Sequence, residues 1–94
     1  MEFICNGESV SISDDEMYEI DRKLEDIIFS NSIWKTIDPY GDKYLSGDEL
    51  SAFVYECKTY ELHLKDDYLI TMNQIRSIAE KADKSKEQLY ICGD

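Results

Sequence analysis

The chain opens on two short alternating runs around an Asn-Gly pair, Phe3-Ile4-Cys5-Asn6-Gly7-Glu8-Ser9-Val10-Ser11-Ile12. Asn-Gly suits the two left-handed centres of a type I′ turn, so the pattern predicts a β-hairpin. With Asn6 and Gly7 at those centres, Cys5 faces Glu8, Ile4 faces Ser9, Phe3 faces Val10 and Met1 faces Ile12. Side chains alternate across a strand, which gathers Met1, Phe3, Val10 and Ile12 on one face and leaves Ile4, Ser9 and Ser11 on the other. A ribbon that is apolar on one side needs a layer of helices to cover it.

The period then changes from two to between three and four. Ser13-Asp14-Asp15-Glu16 has capping-box spacing, and Met17, Ile20, Leu24, Ile27 and Ile28 follow in one stripe, which predicts a helix down to about Phe29. Ser30-Asn31-Ser32 interrupts the pattern. Ile33, Trp34 and Ile37 predict one further helical turn, ended by Asp38-Pro39 because the residue before proline disfavours the helical region. Trp34, flanked by Ile33 and Ile37, is expected in the core. Ser46-Gly47-Asp48-Glu49 repeats the capping-box spacing ahead of a second helix with the stripe Leu50, Phe53, Val54, Cys57, Tyr60 or Glu61, and Leu64. A third helix starts near Asp66, buries Leu69, Met72, Ile75, Ile78, Ala79 and Ala82, and exits at Lys84-Ser85-Lys86. The last segment, Gln88-Leu89-Tyr90-Ile91-Cys92-Gly93-Asp94, is short and β-prone, and the open edges of the hairpin offer it a partner. The expected fold class is α+β: hairpin and C-terminal strand form a small three-stranded antiparallel sheet, packed on one face against three main helices, in one domain spanning residues 1–94.

Length and composition agree with this plan. Ninety-four residues, 43% of them apolar, support one modest core. The longest apolar run, Ile27-Ile28-Phe29, is far below the roughly 18 residues of a membrane span, and the first six residues lack the basic start of a signal peptide. Cys5, Cys57 and Cys92 are odd in number and widely spaced, unlike a zinc site or a disulfide framework. A soluble, cytoplasmic chain with reduced thiols is the expectation.

One segment has the layout of a ligand loop. Asp38-Pro39-Tyr40-Gly41-Asp42-Lys43-Tyr44-Leu45-Ser46-Gly47-Asp48-Glu49 lies between two helical stretches and resembles a degenerate EF-hand calcium loop: Asp38, Asp42, Ser46 and Glu49 take the first, fifth, ninth and twelfth positions, and Leu45 the apolar eighth. The resemblance implies calcium held by Asp38, Asp42, the Tyr44 carbonyl, Ser46 and a bidentate Glu49. Tyr40 and Lys43 depart from it, the first lacking a carboxylate and the second standing where the sharp turn needs glycine. The bland account of the same residues is that Glu49 completes the capping box of Ser46 and that Asp38-Pro39-Tyr40-Gly41-Asp42 is a turn.

Nothing in the sequence assembles a catalytic constellation, so a non-enzymatic role is expected, without a cofactor apart from the calcium alternative. The single His63 fits the C-terminal end of the second helix, where the dipole favours a cation. Net charge is -11, from 21 Asp plus Glu against 10 Lys plus Arg. That excess opposes nucleic-acid binding and favours a basic partner. The first helix carries Asp14, Asp15, Glu16, Glu19, Asp21, Glu25 and Asp26 against Arg22 and Lys23. Tyr40, Asp42, Tyr44, Asp48, Tyr55 and Glu56 form the expected partner-binding patch, in which aromatic anchors stand beside carboxylates.

In size, charge and organisation the chain resembles small acidic bacterial immunity proteins. That resemblance implies stoichiometric neutralisation of a basic toxin, for example a nuclease; a monomer or a weak dimer is expected, and the sequence leaves open whether a free strand edge joins two copies. The alternatives are a calcium-binding module of EF-hand type and a DNA-mimic inhibitor whose carboxylates are spaced like duplex phosphates.

Overall fold

A computed structural model describes residues 1–28 and 32–93. The hairpin forms as its turn chemistry dictates. Asn6 and Gly7 both take left-handed backbone angles (φ 51° and 77°), and they join β1 (Glu2–Cys5) to β2 (Glu8–Ser11) in the predicted register, with Phe3 opposite Val10 and Cys5 opposite Glu8. Reciprocal backbone bonds between Met1 and Ile12, of 2.9 and 3.1 Å, extend the ladder. Met1, Phe3 and Ile12 are buried, and Val10 packs half-buried beside them.

The C-terminal strand β4 (Leu89–Cys92) pairs antiparallel with the free edge of β1, as expected. The sheet nevertheless has four strands. A further strand, β3 (Asp42–Leu45), pairs antiparallel with the far side of β4, giving the order β2-β1-β4-β3. Asp42-Lys43-Tyr44-Leu45 buries only Leu45, so it has too little apolar alternation to announce a strand, and pairing with β4 decides its conformation. The contact is close just beyond the strand end, where Gly93 N–H donates to Gly41 O at 2.8 Å. A Cβ on Gly93 would lie 2.4 Å from that carbonyl oxygen and 2.8 Å from that of Pro39.

Helix α1 (Asp14–Lys23) begins at a complete capping box: Glu16 N–H donates to Ser13 Oγ at 3.1 Å, and the Glu16 carboxylate accepts from Ser13 N–H. It stops sooner than expected. Leu24 leaves helical geometry (φ -104°, ψ 4°), and a turn follows in which Ile27 and Ile28 N–H both reach Leu24 O. Arg22 and Lys23 suit the last carbonyls, whereas Glu25 and Asp26 beyond them place negative charge at the negative end of the dipole. The apolar stripe survives the change, since Leu24 is buried and Ile27 and Ile28 pack on the core; Phe29 lies outside the described residues. Trp34–Thr36 forms one 3-10 turn, and Ile37 turns extended ahead of Asp38-Pro39.

Helix α2 (Gly47–Glu61) buries Leu50, Phe53, Val54, Cys57 and Tyr60, but its expected capping box is absent: the Ser46 side chain makes no cap bond. Gly47, at φ 56°, stands between Ser46 and the rest of the first turn, so the chain enters the helix by a different path from that at Ser13. Helix α3 (Asp66–Lys84) buries Thr71, Met72, Ile75, Ile78, Ala79 and Ala82. Leu69 falls at the margin of that stripe and is exposed, while Thr71 goes inward and donates its hydroxyl to Glu16 Oε2 at 3.1 Å, tying α3 to the start of α1.

Among the described residues, the helices pack on one side of the sheet. Helix α3 crosses β1, β2 and β4, and α2 lies against α3. Through the centre runs an aromatic column: Phe3 of β1 stacks on Phe53 of α2 (6.4 Å), Phe53 on Trp34 (6.2 Å), and Trp34 meets Tyr60 edge-on (6.1 Å). Offset and edge-on rings at these separations add about 0.5–1.5 kcal/mol per pair beyond burial.

Candidate partner-binding surface

Of the six residues expected to share a patch, Glu56 is engaged by the fold itself. Its carboxylate accepts from Ile33 N–H (2.9 Å), Trp34 N–H (3.1 Å) and the Tyr60 hydroxyl (3.3 Å), closing the open donors at the start of the 3-10 turn. Burial, reinforced by the Glu56 charge, pushes the Tyr60 phenol up to about 12.

The other five fall on three surfaces. Asp42 and Tyr44 alternate with inward-facing Leu45 and so point away from the helices, on the outer face of the sheet. Tyr44 is opposite Tyr90 in the ladder, and the two rings stack with centroids 4.6 Å apart and planes 15° from parallel. Ile4 is opposite Tyr90 on the other side, and Glu2 and Asp42 flank Cys92 in the adjoining row. The Cys92 side chain and the Asp42 carboxylate beside its hydroxyl hold the Tyr90 phenol above the usual range.

Tyr40 stands on the turn before β3. Asp38 Oδ1 accepts from Tyr40 N–H at 2.8 Å, and Gly41 N–H donates to Asp38 O. Tyr40 and Pro39 form one wall of an open groove whose other wall is α1, with Asp14, Asp15, Tyr18 and Asp21. Tyr18 and Tyr40 are 64% and 74% exposed, unusual for such large rings. Asp48 lies in the first turn of α2 and Tyr55 on its outer side, off the buried stripe. Among the described residues, no hydrogen bond, ion pair or ring contact joins either to the other two surfaces. Tyr18, Glu2 and Tyr90 also stand on these surfaces, beyond the six residues expected there. Tyr18 was legible as the aromatic next to α1's stripe, and Tyr90 as the residue alternating with Leu89 and Ile91.

Charge is distributed unevenly. Residues 1–57 hold 14 of the 21 acids and 4 of the 10 bases, leaving 7 acids and 6 bases for residues 58–94. The second part is largely self-neutralised. Arg76 pairs with Glu61 and Glu80, Lys58 and Lys84 also reach Glu80, and Lys81 reaches Glu8. In the first part, Arg22 pairs with Glu19, and Lys23 lies over the Tyr68 ring at 5.1 Å. Asp14, Asp15, Asp21, Asp42 and Asp48 have no cationic side chain paired with them among the described residues, so the α1 groove and the outer sheet face are both anionic.

Residues 38–49, which resemble a calcium loop in sequence, divide between a turn, β3 and the start of α2. A calcium loop folds its ligands around one point, but here Asp42–Leu45 is extended, carrying its two ends about 10 Å apart at ~3.3 Å per residue. Asp38, Asp42, Tyr44, Ser46 and Glu49 are therefore strung along a turn, a strand and a helix start. Among the described residues, no three His, Cys, Asp or Glu side chains are grouped to hold a metal.

The cysteines Cys5, Cys57 and Cys92 are free thiols. Cys57 is core, and burial raises its thiol far above the ordinary value; burial and then Glu87 raise Cys5. Neither thiol is activated as a nucleophile. No helix among the described residues is long and apolar enough to cross a membrane. Compared with protein-family models, curated proteins and solved structures, the chain matches none.

Proposed function

We propose that this chain acts by stoichiometric binding to a basic protein, as an immunity protein that neutralises a cationic toxin. The observation that carries this reading is the combination of uncompensated acids with solvent-exposed tyrosines on two surfaces: the α1 groove with Tyr18 and Tyr40, and the outer sheet face with Tyr44. Large rings left in water gain by entering a partner's pocket, and carboxylates without internal cations steer a positive surface toward them. In the core below, no buried side-chain polar atom among the described residues lacks a partner.

The test is co-expression with the product of the reading frame that flanks this one in its genome. Growth arrest by that product alone, rescue by this chain, and a 1:1 complex whose affinity falls with salt are the expected results. An absence of arrest, or of a complex, overturns the reading. If duplex DNA competes with this chain for the partner's active site, the mode of inhibition is that of a DNA mimic.

A further inference from the structure

Among the described residues the sheet is covered on one face only, and the other face has a definite chemistry. Its two central cross-strand rows are Ser9, Ile4, Tyr90, Tyr44 and Ser11, Glu2, Cys92, Asp42. The first row ends in the stacked tyrosine pair. The second row carries the carboxylates of Glu2 and Asp42, one on each side of Cys92. Lys43, the base on β3, alternates to the opposite side. Because β3 is the last strand, one ring face of Tyr44 is stacked on Tyr90 and the other has no strand beside it, which accounts for its 57% exposure.

An aromatic ring open on one side, with a carboxylate two residues away on the same face, is complementary to a guanidinium. Arginine stacks flat on a phenol ring and donates its paired N–H groups to a carboxylate, whereas a lysine ammonium lacks the planar surface for the first contact and the fork for the second. A second copy of this chain is a poor occupant, since it would set Glu2 and Asp42 against their own like charges at a net charge of -11 per molecule.

Resting on the proposed reading that the partner is a basic protein, we infer that the outer sheet face is an arginine receptor: Tyr44, backed by Tyr90, stacks a partner arginine while Asp42 binds its guanidinium, with Glu2 holding a second cation across the strands. The α1 groove differs from this face: it carries three carboxylates, Asp14, Asp15 and Asp21, but offers Tyr18 and Tyr40 without a stacked ring behind them.

The test uses the intact chain and two peptides of equal length and charge, one alternating arginine with threonine and the other lysine with threonine, followed by NMR titration. The expected result is saturable shifts centred on Tyr44, Tyr90 and Asp42, about tenfold tighter for the arginine peptide, with that preference lost in Tyr44→Ala and in Asp42→Asn. Both substitutions fall on exposed side chains, and an unchanged spectrum elsewhere verifies folding. Equal affinity for the two peptides, or shifts centred on Tyr18 and Tyr40 and abolished by Tyr18→Ala, overturns the inference. Self-association through this face, seen by sedimentation and lost in Tyr44→Ala, also overturns it. A flanking-frame toxin that binds Tyr44→Ala and Asp42→Asn as tightly as the parent removes the arginine receptor while leaving the immunity reading intact; failure of any such complex removes the reading itself.

Discussion

The indole N–H of Trp34 donates to Asp21 Oδ1 at 2.7 Å, from a ring that is 2% exposed to a carboxylate that stands in water on α1. This bond joins the central aromatic column to the wall of the acidic groove, so Asp21 both holds the fold and contributes to the surface. Asp21→Ala leaves the buried indole donor open and is expected to cost about 1–3 kcal/mol. Asp21→Asn retains an acceptor and costs less. Urea denaturation of both variants, with Trp34 fluorescence as the probe, checks the order; equal losses would mean that the bond contributes nothing specific.

Gly93→Ala and Gly7→Ala should fail for different reasons. At Gly93 a Cβ meets the Gly41 carbonyl at 2.4 Å, so β3 must shift away from β4. At Gly7 nothing lies within 4 Å, and only the left-handed backbone resists. We expect about 1–3 kcal/mol for the first and about 1 kcal/mol for the second. Amide exchange distinguishes them: Gly93→Ala accelerates exchange in residues 42–45, and Gly7→Ala leaves that strand protected.

The Glu56 charge lies beside the Tyr60 hydroxyl, so Glu56→Gln should lower the Tyr60 pKa from about 12 toward its ordinary value of 10. A folded-state pKa above the unfolded one means that the native state keeps its proton longer. The stability this contributes is complete below pH 10 and is lost as pH rises toward 12. The urea midpoint of the parent should therefore decline across that range more steeply than that of Tyr60→Phe. Parallel declines would show that other groups control alkaline unfolding.

Calcium should leave the chain unchanged. The five candidate oxygens are spread over the turn before β3, β3 itself and the start of α2, with no three ligand side chains grouped among the described residues. The melting temperature is expected to be the same with and without millimolar calcium, in the parent and in Glu49→Gln. A rise that Glu49→Gln abolishes would restore the calcium loop.

Local order along the chain determined much of this protein. Asn6-Gly7 specifies its hairpin and register, Ser13 with Glu16 starts α1, and the stripes of α2 and α3 name most of the core, because turn preference, capping and periodicity act within a few residues. Tertiary structure decided the rest. Asp42-Lys43-Tyr44-Leu45 becomes a strand only because β4 supplies an edge and Gly93 admits close approach. That one pairing separates Tyr44 from Tyr40 and Tyr55, stacks it on Tyr90, and lays out residues 42–45 of the calcium-like segment as a strand. Glu56 likewise reads as a surface acid until the chain 23 residues upstream folds back onto it. Contacts between residues far apart in sequence leave no periodic trace in either partner, so the chain order carried the framework and the folded contacts set the surface.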